Sequence, residues 1–434
     1  MREVVNLFRR QPLALFFLLL GFSLHVVLAC RSWVGGDQIH LLRLGLEFSQ
    51  TGTLAPFAKL TGGAGTNPGA LLQLLVGIPL AVIPHYQSPM ILVLFFHLFA
   101  LFFVLRVTSE AFGNTAAVLT MVVFWLSPWR LYNGGFLWEP AYVFLPGALH
   151  FFSCWKLRDQ SAKGPSFVLG LALIMAVQLH NSAFLLLILT TLLIVRKRIH
   201  VQWIALGLGA MTAGVTLIPT ILALLAGDLP VTKGSAGSFG SGLVMVYPML
   251  KGILYWFTLG SLDSVRMLNE TVFLSDGWFG EQMWTSMLPP FVRILQALTI
   301  ASVGISIVAS WRFFRPLWQR EQELEKGREW LMHYAGSTFV SLVISAALSP
   351  IVLQGWQVVI ALHAATIPVI VWGVSLWERR KSIRSVGIPL YVGVQILIIV
   401  FLVSGHYIFR PGIIPPGVEP QKDLELLKLF PQQE

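Results

Sequence analysis

Long apolar runs separated by short polar segments dominate the pattern of this chain. A helix needs about 20 apolar residues to cross roughly 30 Å of hydrocarbon, and it satisfies its own backbone hydrogen bonds there. The runs therefore predict an all-α polytopic membrane protein with about eleven transmembrane helices. The predicted crossings are 12–30, 88–108, 114–131, 140–156, a pair within 167–195, 203–225, 290–311, 332–353, 357–377 and 388–409.

Longer polar segments interrupt this series, and we expect them on one face of the membrane. The first outer loop, 31–87, contains the amphipathic stretches Asp37–Phe48 and Pro68–Ile83, which predict interfacial helices. The second outer loop, 226–289, begins with the Gly- and Ser-rich stretch 227–242. Such a composition is typical of a mobile loop that covers a site as a lid.

The rest of the chain adds no separate domain. After the Gly-rich stretch, LVMVYPMLKGILYWF (243–257) predicts a helix that dips into the membrane interface. The tail, 410–434, follows the last crossing and falls on the outer face. We therefore expect one integral membrane domain over 1–434, with spans at 88–225 and 290–409 on either side of the second outer loop.

Charge indicates the orientation of the bundle. Basic residues cluster between the apolar runs, for example at 196–198 and 379–384, and such clusters mark cytoplasmic loops. The chain is 56% hydrophobic and 12% charged, and its net charge of +10 follows from these clusters, so no nucleic-acid partner is expected. Membrane lipids are the expected surroundings. Short loops and the absence of a eukaryotic targeting signal favour a bacterial inner membrane.

Two of the outer carboxylates have contexts that require an explanation. Asp37 follows two glycines at the exit of the first crossing, and Glu139 opens a membrane helix directly before a proline. Helix capping explains each of them structurally, because carboxylates suit the N-terminal end of a helix. Both are expected on one face, beside loops of Trp, Tyr, Asn and Gly that can line a polar cavity. Since carboxylates at a membrane are costly unless used, the pair predicts a functional site.

Four stretches in the first half of the chain carry a family resemblance. They are GDQIHLLRLGLEFSQTGTLAP, TNPGALLQLLVGIPL, FWLSPWRLYNGGFLWEPAYVFLPGAL and GLALIMAVQLHNSAFLLL. In order, spacing and predicted topology they resemble the GT-C glycosyltransferases, in particular the branch of the protein mannosyltransferases and the aminoarabinose transferases acting on lipid A. The resemblance implies a GT-C-like bundle whose active site faces the periplasm or the outside.

The resemblance also implies roles for individual residues. Asp37 takes the position of the family's general base in the first outer loop, and Glu139 takes that of a second outer carboxylate. His180 and Asn181 lie in the HNS turn between two paired helices, which is a common site of substrate contact in the family.

Two departures from the family pattern concern metal binding. Gln38 stands where relatives often have Glu, and Thr66–Gly69 stands where they often have Glu-Lys-Pro-Pro, which includes a metal ligand in some relatives. The outer segments also contain no Asp-x-Asp or His-x-x-x-His arrangement. The two cysteines, Cys30 and Cys154, are predicted near opposite faces. We expect no cofactor and no metal site, and the dependence on a divalent ion stays open.

The donor that the resemblance implies is a sugar on a polyprenyl phosphate. A carboxylate takes the proton of an acceptor hydroxyl as it attacks the anomeric carbon, which inverts that centre. Without a metal, protein cations or dipoles must stabilise the leaving phosphate. The acceptor is a glycan, a lipid or a protein. The candidate substrate-binding residues are Arg43, Asn67, His180, Asn181, Lys233, Lys251, Gln354 and Trp356. Lys59, Arg266 and Arg293 are further outer cations, and each of these cations is more often an interfacial anchor than a ligand.

A transporter or a lipid or glycolipid flippase is the alternative function. It predicts polar residues near the middle of the membrane and discontinuous helix pairs. His97, His150 and His363 do lie within predicted crossings, but interhelical hydrogen bonding is the ordinary role of such histidines. A purely structural membrane scaffold is a third possibility, and it leaves the two outer carboxylates unexplained.

Overall fold

Helices make up nearly all of the regular structure in the computed structural model, which describes residues 11–30, 34–61, 65–228, 246–272, 288–319, 325–349, 353–405 and 418–430. The first helices are α1 (Pro12–Cys30), α2 (Gly36–Thr51), α3 (Leu71–Val82), α4 (Ser88–Thr120), α5 (Pro128–Gly134), α6 (Glu139–Tyr142), α7 (Phe144–Lys156), α8 (Lys163–Leu179) and α9 (Ala183–Val195). The later ones are α10 (Trp203–Gly214), α11 (Ile218–Leu225), α12 (Val246–Leu259), α13 (Val265–Val272), α14 (Leu288–Gln319), α15 (Lys326–Leu348), α16 (Leu362–Arg379), α17 (Ile388–Gly405) and α18 (Leu424–Leu427). Short π-helical turns at Met121–Trp125 and Ile383–Gly387 and 3-10 turns at Val215–Leu217 and Gly355–Ala361 join some of them.

Several of these helices can cross a membrane. In the described part of the chain, 7 helical segments are long and apolar enough to do so. The protein is therefore an integral membrane protein, and the predicted all-α polytopic class is confirmed. The predicted count of about eleven crossings is not confirmed. The prediction exceeds the 7 segments for two reasons. It divides the segment Ser88–Trp125 near Gly113, whose φ of 74° interrupts helical geometry, and it counts the shorter helices α7, α8 and α9 as crossings.

The paired helices predicted within 167–195 are α8 and α9, which are separated by the turn 180–182. Glycines allow α8 to pack unusually close to α10, the second helix after it. A Cβ atom added at Gly170 would lie 2.0 Å from the carbonyl oxygen of Leu206, and one added at Gly209 would lie 1.9 Å from that of Phe167. Small residues permit such backbone contact between membrane helices.

The first outer loop folds into α2, a β-hairpin and α3. The helices correspond to the two that the amphipathic pattern predicts, and they pack closely where Gly45 and Gly77 face each other. The hairpin pairs β1 (Phe57–Thr61) with β2 (Gly65–Pro68) in antiparallel register and was not predicted. Its sequence is rich in Gly, Thr and Pro and lacks a clear alternation of apolar and polar residues, so the usual strand signal is weak.

The C-terminal tail returns to the first outer loop. Arg43 of α2 binds Asp423 through two hydrogen bonds, Nε to Oδ1 at 2.9 Å and Nη2 to Oδ2 at 2.6 Å. Tyr86, before α4, stacks on Phe430 with ring centres 4.8 Å apart. Because the contact places both segments on one face, an even number of crossings must separate them, which the predicted topology satisfies.

The helices α12 and α13 pack into the bundle between α14, α15 and α16. Trp256 of α12 meets Phe339 of α15 with ring centres 5.6 Å apart. At the turn between α12 and α13, the backbone N–H of Leu262 donates to the hydroxyl of Ser302 in α14 at 2.9 Å. The predicted dipping helix 243–257 thus corresponds to α12, whereas the predicted lid 227–242 lies almost entirely outside the described residues.

Candidate functional site

A cavity of about 430 Å³ opens between α2, the α5–α6 segment, the α12–α13 pair and the 3-10 turn before α16. We call it the outer cavity, since all four elements belong to or adjoin predicted outer segments. Its polar wall residues are Gln38, Tyr132, Asn133, Tyr255, Thr258, Asp263, Ser264 and Arg266. Its remaining wall residues are Trp129, Phe136, Trp138, Leu254, Val265, Met267, Gly355 and Trp356. A largely aromatic and apolar lining with a few polar groups is typical of ligand sites.

Hydrogen bonds within the α5–α6 segment hold one wall of the outer cavity. The Trp138 indole Nε1–H donates to the Asn133 carbonyl at 2.7 Å, and the Asn133 amide donates to the Trp129 carbonyl at 2.7 Å. Pro128 begins α5, where a proline is well tolerated because the first helical N–H has no intrahelical partner. The wall is therefore built mostly from contacts that are local in sequence.

A buried arginine fastens this wall to the bundle. The Arg130 Nε–H donates to the Trp125 carbonyl at 2.6 Å, and the guanidinium lies 3.7 Å from the centre of the Trp125 ring. Its Nη1 lies 3.0 Å from Nδ1 of His25 in α1 and 3.3 Å from Nδ1 of His97 in α4. The His97 Nε2 in turn lies 2.8 Å from the carbonyl of Ala141 in α6. Arg130 thereby links α1, α4, α5 and α6.

The opposite wall carries the cation of the outer cavity. The Arg266 guanidinium lies 4.1 Å from the centre of the Trp356 ring, and its Nη1–H donates to Gln354 Oε1 at 2.8 Å. The Trp356 ring lies 6.1 Å from that of Trp138. These contacts orient an otherwise exposed guanidinium toward the cavity. Gly355 is required here, because an added Cβ would lie 2.5 Å from the Trp129 indole.

Further polar groups come from α12 and the turn that follows it. The Asp263 carboxylate is partly buried and accepts the Val265 N–H at 3.3 Å. Burial raises the pKa of Asp263 above its ordinary value, and the hydrogen bond from Val265 opposes this shift. The Tyr255 hydroxyl donates to the Leu353 carbonyl at 3.2 Å, and burial raises its pKa to about 12. Lys251 lies 5.8 Å from the centre of the Tyr255 ring.

Neither candidate carboxylate is among the residues that line the outer cavity, but each is next in sequence to a residue that is. Asp37 is exposed in the first turn of α2, and Gln38 follows it in the wall. The N-cap is Gly35, whose N–H donates to Gln38 Oε1 at 3.3 Å, so Asp37 does not occupy the capping position. Glu139 is 5% exposed and begins α6, and Trp138 precedes it in the wall.

The remaining predicted residues divide into four groups, of which three are described first. Gln354 and Trp356 lie at the outer cavity with Arg266, and Lys251 lies near its edge. Arg43 is held by the tail, as described above. Lys233 lies outside the described residues.

Asn67, His180 and Asn181 gather at a different place. The fully buried Asn67 amide donates to the Leu179 carbonyl at 3.1 Å, directly before the predicted HNS turn. Within that turn, the Ser182 N–H donates to His180 Nδ1 at 3.0 Å. None of these side chains is among the residues that line the outer cavity. The structure therefore brings the hairpin to the α8–α9 turn without bringing either to Arg266.

Sequence reasoning missed Asp263 and did not single out Arg266. Asp263 is one of many outer carboxylates and has no distinguishing motif, and Arg266 was one of six outer cations considered for the leaving phosphate. The only usable signal was their spacing within a polar turn after an apolar helix. Tyr132 and Asn133 lie in WRLYNGGFLWEP, where the aromatic and polar residues did predict a cavity wall.

Within the described ranges, no group of three or more His, Cys, Asp and Glu side chains is arranged to hold a metal ion. The carboxylates of the outer cavity region come from α2, α6 and the turn before α13.

Comparisons with known proteins identify relatives by structure alone. No family model and no curated protein matches the sequence. The chain is similar to a crystal structure of ArnT from Cupriavidus metallidurans bound to undecaprenyl phosphate, with a TM-score of 0.56 and 12% identity over 91% of this chain and 77% of that one. It is similar to the apo structure of the same protein at a TM-score of 0.54 and 13% identity, over 90% and 76%.

An oligosaccharyltransferase from Archaeoglobus fulgidus, in complex with Zn and sulfate, gives a TM-score of 0.49 at 14% identity. The match covers 96% of the present chain but 57% of that protein. The ArnT comparison establishes the fold. The chain shares the fold of ArnT, so the helical bundle that the sequence resemblance implied is confirmed at the level of the fold.

Proposed function

We propose that this chain is a membrane glycosyltransferase that moves a sugar from a polyprenyl-phosphate donor to an acceptor hydroxyl on the extracytoplasmic face. The observation that carries the proposal is the outer cavity, in which Arg266 is held by Gln354 and Trp356 and whose wall residues Gln38 and Trp138 are next in sequence to the candidate carboxylates. The fold supports it, because ArnT has the same fold and was crystallised with undecaprenyl phosphate.

The proposed chemistry is a single displacement. The acceptor oxygen forms a bond to the anomeric carbon as the bond from that carbon to the donor phosphate breaks. The electron pair of the broken bond leaves on the phosphate oxygen, and the acceptor proton goes to the Asp37 carboxylate. Attack opposite to the leaving phosphate inverts the anomeric carbon. A positioned general base contributes about 10² to 10⁴ fold to the rate of such a step.

We assign Glu139 to a supporting role. It is nearly buried beside Trp138, so it can orient the acceptor hydroxyl at the rim of the cavity but has less access to solvent for proton release than the exposed Asp37. Asp263 lines the outer cavity, and its carboxylate oxygens can accept a hydrogen bond from a sugar hydroxyl.

The leaving phosphate requires a cation, and we assign Arg266 to it. Arg43 is engaged by Asp423, whereas the Arg266 guanidinium lies in the cavity wall with its plane supported by Trp356. Arginine suits this role because its rigid fork of donors matches phosphate oxygens. The aromatic walls formed by Trp138 and Trp356 provide flat apolar surfaces for the sugar ring.

The test is sugar transfer in vitro by the purified full-length chain, with a polyprenyl-phosphate sugar donor in detergent. Asp37→Asn is expected to lower the rate by at least about 10² fold, the lower limit for loss of a general base. Glu47→Gln is the matched control, because Glu47 is an exposed carboxylate on the same helix α2. Transfer by Asp37→Asn at the rate of the control would remove Asp37 as the base.

The same experiment separates a transferase from a flippase. A transferase consumes the donor and releases polyprenyl phosphate, which mass spectrometry detects together with the glycosylated acceptor. A flippase moves an intact donor between leaflets and leaves its glycosidic bond unbroken. Comparison of lipid-linked sugars and glycans in cells with and without the gene then identifies the sugar and the acceptor.

A further inference from the structure

A second cavity, of about 390 Å³, lies between α14 and α15 and reaches up to α12. We call it the inner groove. Its walls are mostly aromatic and apolar and include Trp256, Trp311, Phe314, Trp318 and Phe339. Trp311 and Trp318 are 57% and 62% exposed, and both lie on α14, one of the helical segments that can cross a membrane. The groove therefore opens sideways, toward the lipid that surrounds the bundle.

The charged part of the inner groove lies at one end. Arg196 and His333 are the ionisable residues in its wall, and Arg196 follows directly after α9. The adjacent Arg198 donates to Glu329 Oε1 at 3.1 Å, and His333 lies 3.3 Å from the same oxygen. In the described part of the chain, Arg196 itself forms no ion pair with a carboxylate. Among the described residues, the groove mouth therefore keeps an excess of positive charge.

The inner groove and the outer cavity use opposite faces of α12. Tyr255 and Thr258 line the outer cavity, whereas Trp256 and Phe257 line the inner groove. The basic segment 196–198 belongs to the face that the charge pattern predicts to be cytoplasmic. The inner groove is therefore a separate site that extends from the opposite membrane surface toward α12.

We propose that the inner groove binds an anionic phospholipid, with an acyl chain between α14 and α15 and the phosphodiester at Arg196. The lateral opening and apolar walls suit an acyl chain, and the exposed tryptophans suit the boundary between chains and headgroups. Arg196, which forms no ion pair among the described residues, favours a headgroup with net negative charge over a zwitterionic one. Basic pockets between membrane helices on the cytoplasmic side recognise anionic headgroups in this way. The inference does not depend on the proposed transferase activity.

The test is native mass spectrometry of the full-length protein in detergent with equal amounts of dioleoyl phosphatidylglycerol and dioleoyl phosphatidylcholine. The wild-type chain is expected to retain phosphatidylglycerol preferentially. Arg196→Gln is expected to weaken that retention about fivefold, which corresponds to one cation near an anionic lipid surface. Lys381→Gln is the matched control, because it removes an exposed cation from another predicted cytoplasmic segment outside the groove.

A second variant tests the acyl-chain part of the site. Gly336 lines the groove, and an added Cβ would stand 3.5 Å from Phe314, so Gly336→Ala fits while Gly336→Leu extends into the groove. Gly336→Leu is expected to release bound lipid, and Gly336→Ala is expected to retain most of it. Equal retention of the two lipids by the wild type, or equal effects of Arg196→Gln and Lys381→Gln, would overturn the proposal. In a parallel measurement with undecaprenyl phosphate, a loss of that lipid in Arg196→Gln as large as the loss of phosphatidylglycerol would also overturn it, since the groove would then not select the phospholipid.

Discussion

Replacement of Arg266 by Gln tests whether the outer cavity binds the donor phosphate. The variant removes the charge and the planar fork while it keeps a polar side chain of moderate length. A hydrogen bond to a charged group contributes about 1.5–3 kcal/mol, which corresponds to roughly 10- to 150-fold in affinity. Because Arg266 is exposed, the affinity for undecaprenyl phosphate is expected to fall by an amount near the lower limit, about tenfold.

The contacts of Arg266 predict how two further variants behave. Arg266→Lys keeps the charge but loses the fork that bonds Gln354 at 2.8 Å, so its affinity is expected between those of the wild type and Arg266→Gln. Gln354→Leu removes a hydrogen bond to the charged guanidinium but leaves the charge of the exposed Arg266 in place, so binding of undecaprenyl phosphate is expected to weaken by less than in Arg266→Gln.

The assay is equilibrium binding of undecaprenyl phosphate to the full-length protein in nanodiscs, followed by initial rates of sugar transfer at varied donor concentration. Arg293→Gln is the matched control, since Arg293 is an exposed outer cation on α14 that does not line the outer cavity. Donor binding by Arg266→Gln at the wild-type level, or an equal loss in Arg293→Gln, would refute the assignment of the phosphate to Arg266.

The remaining predictions concern stability and the cavity wall. Asp423→Asn should lower the melting temperature at neutral pH, because the hydrogen bond from Arg43 lowers the pKa of Asp423. That stabilisation is present above the pKa of Asp423 in the unfolded chain, about 4, and it is lost as the pH falls through the lowered pKa in the folded protein. It stays below about 1 kcal/mol, because the Arg43 side chain is 41% exposed. A difference in melting temperature between the wild type and Asp423→Asn that persists in strong acid would contradict this explanation. Gly209→Ala should destabilise the fold by about 1–3 kcal/mol through overpacking. Gly207→Ala, whose added Cβ would meet open space, should stabilise the fold by up to about 1 kcal/mol. Thermal unfolding in detergent compares the two variants. Gly355→Ala should displace an indole of the outer cavity and weaken donor binding, and unchanged binding would show that this wall is not rigid.

Much of the helical framework could be predicted because its signal is local. The apolar run Pro12–Cys30 coincides with α1, and the basic flanks of 167–195 required a turn that the structure has at 180–182. Each of these predictions depends on residues within one stretch of about 20, the length that a bilayer imposes. The β-hairpin was missed although its two strands adjoin in sequence, because they lack the alternation of apolar and polar residues that indicates a strand.

The candidate site was only partly accessible to this reasoning. Asp37 and Glu139 stood out because carboxylates are rare in an apolar chain, and Gln354 and Trp356 stood out in a polar turn between crossings. Arg43 looked equivalent to Arg266 in sequence, yet Arg43 bonds Asp423, 380 residues later in the chain. No local pattern indicates which outer cation the tail will occupy.

The sequence by itself determined that this protein lies in a membrane, which segments are helical, and which outer residues are chemically unusual, because hydrophobic transfer and helix formation act over single turns and spans. Only the tertiary structure decided which of those residues share a cavity. Arg266 and Gln354 are 88 residues apart, and Arg130 and His25 are 105 apart. Such contacts depend on how distant helices pack, and packing depends on the shapes of many side chains at once.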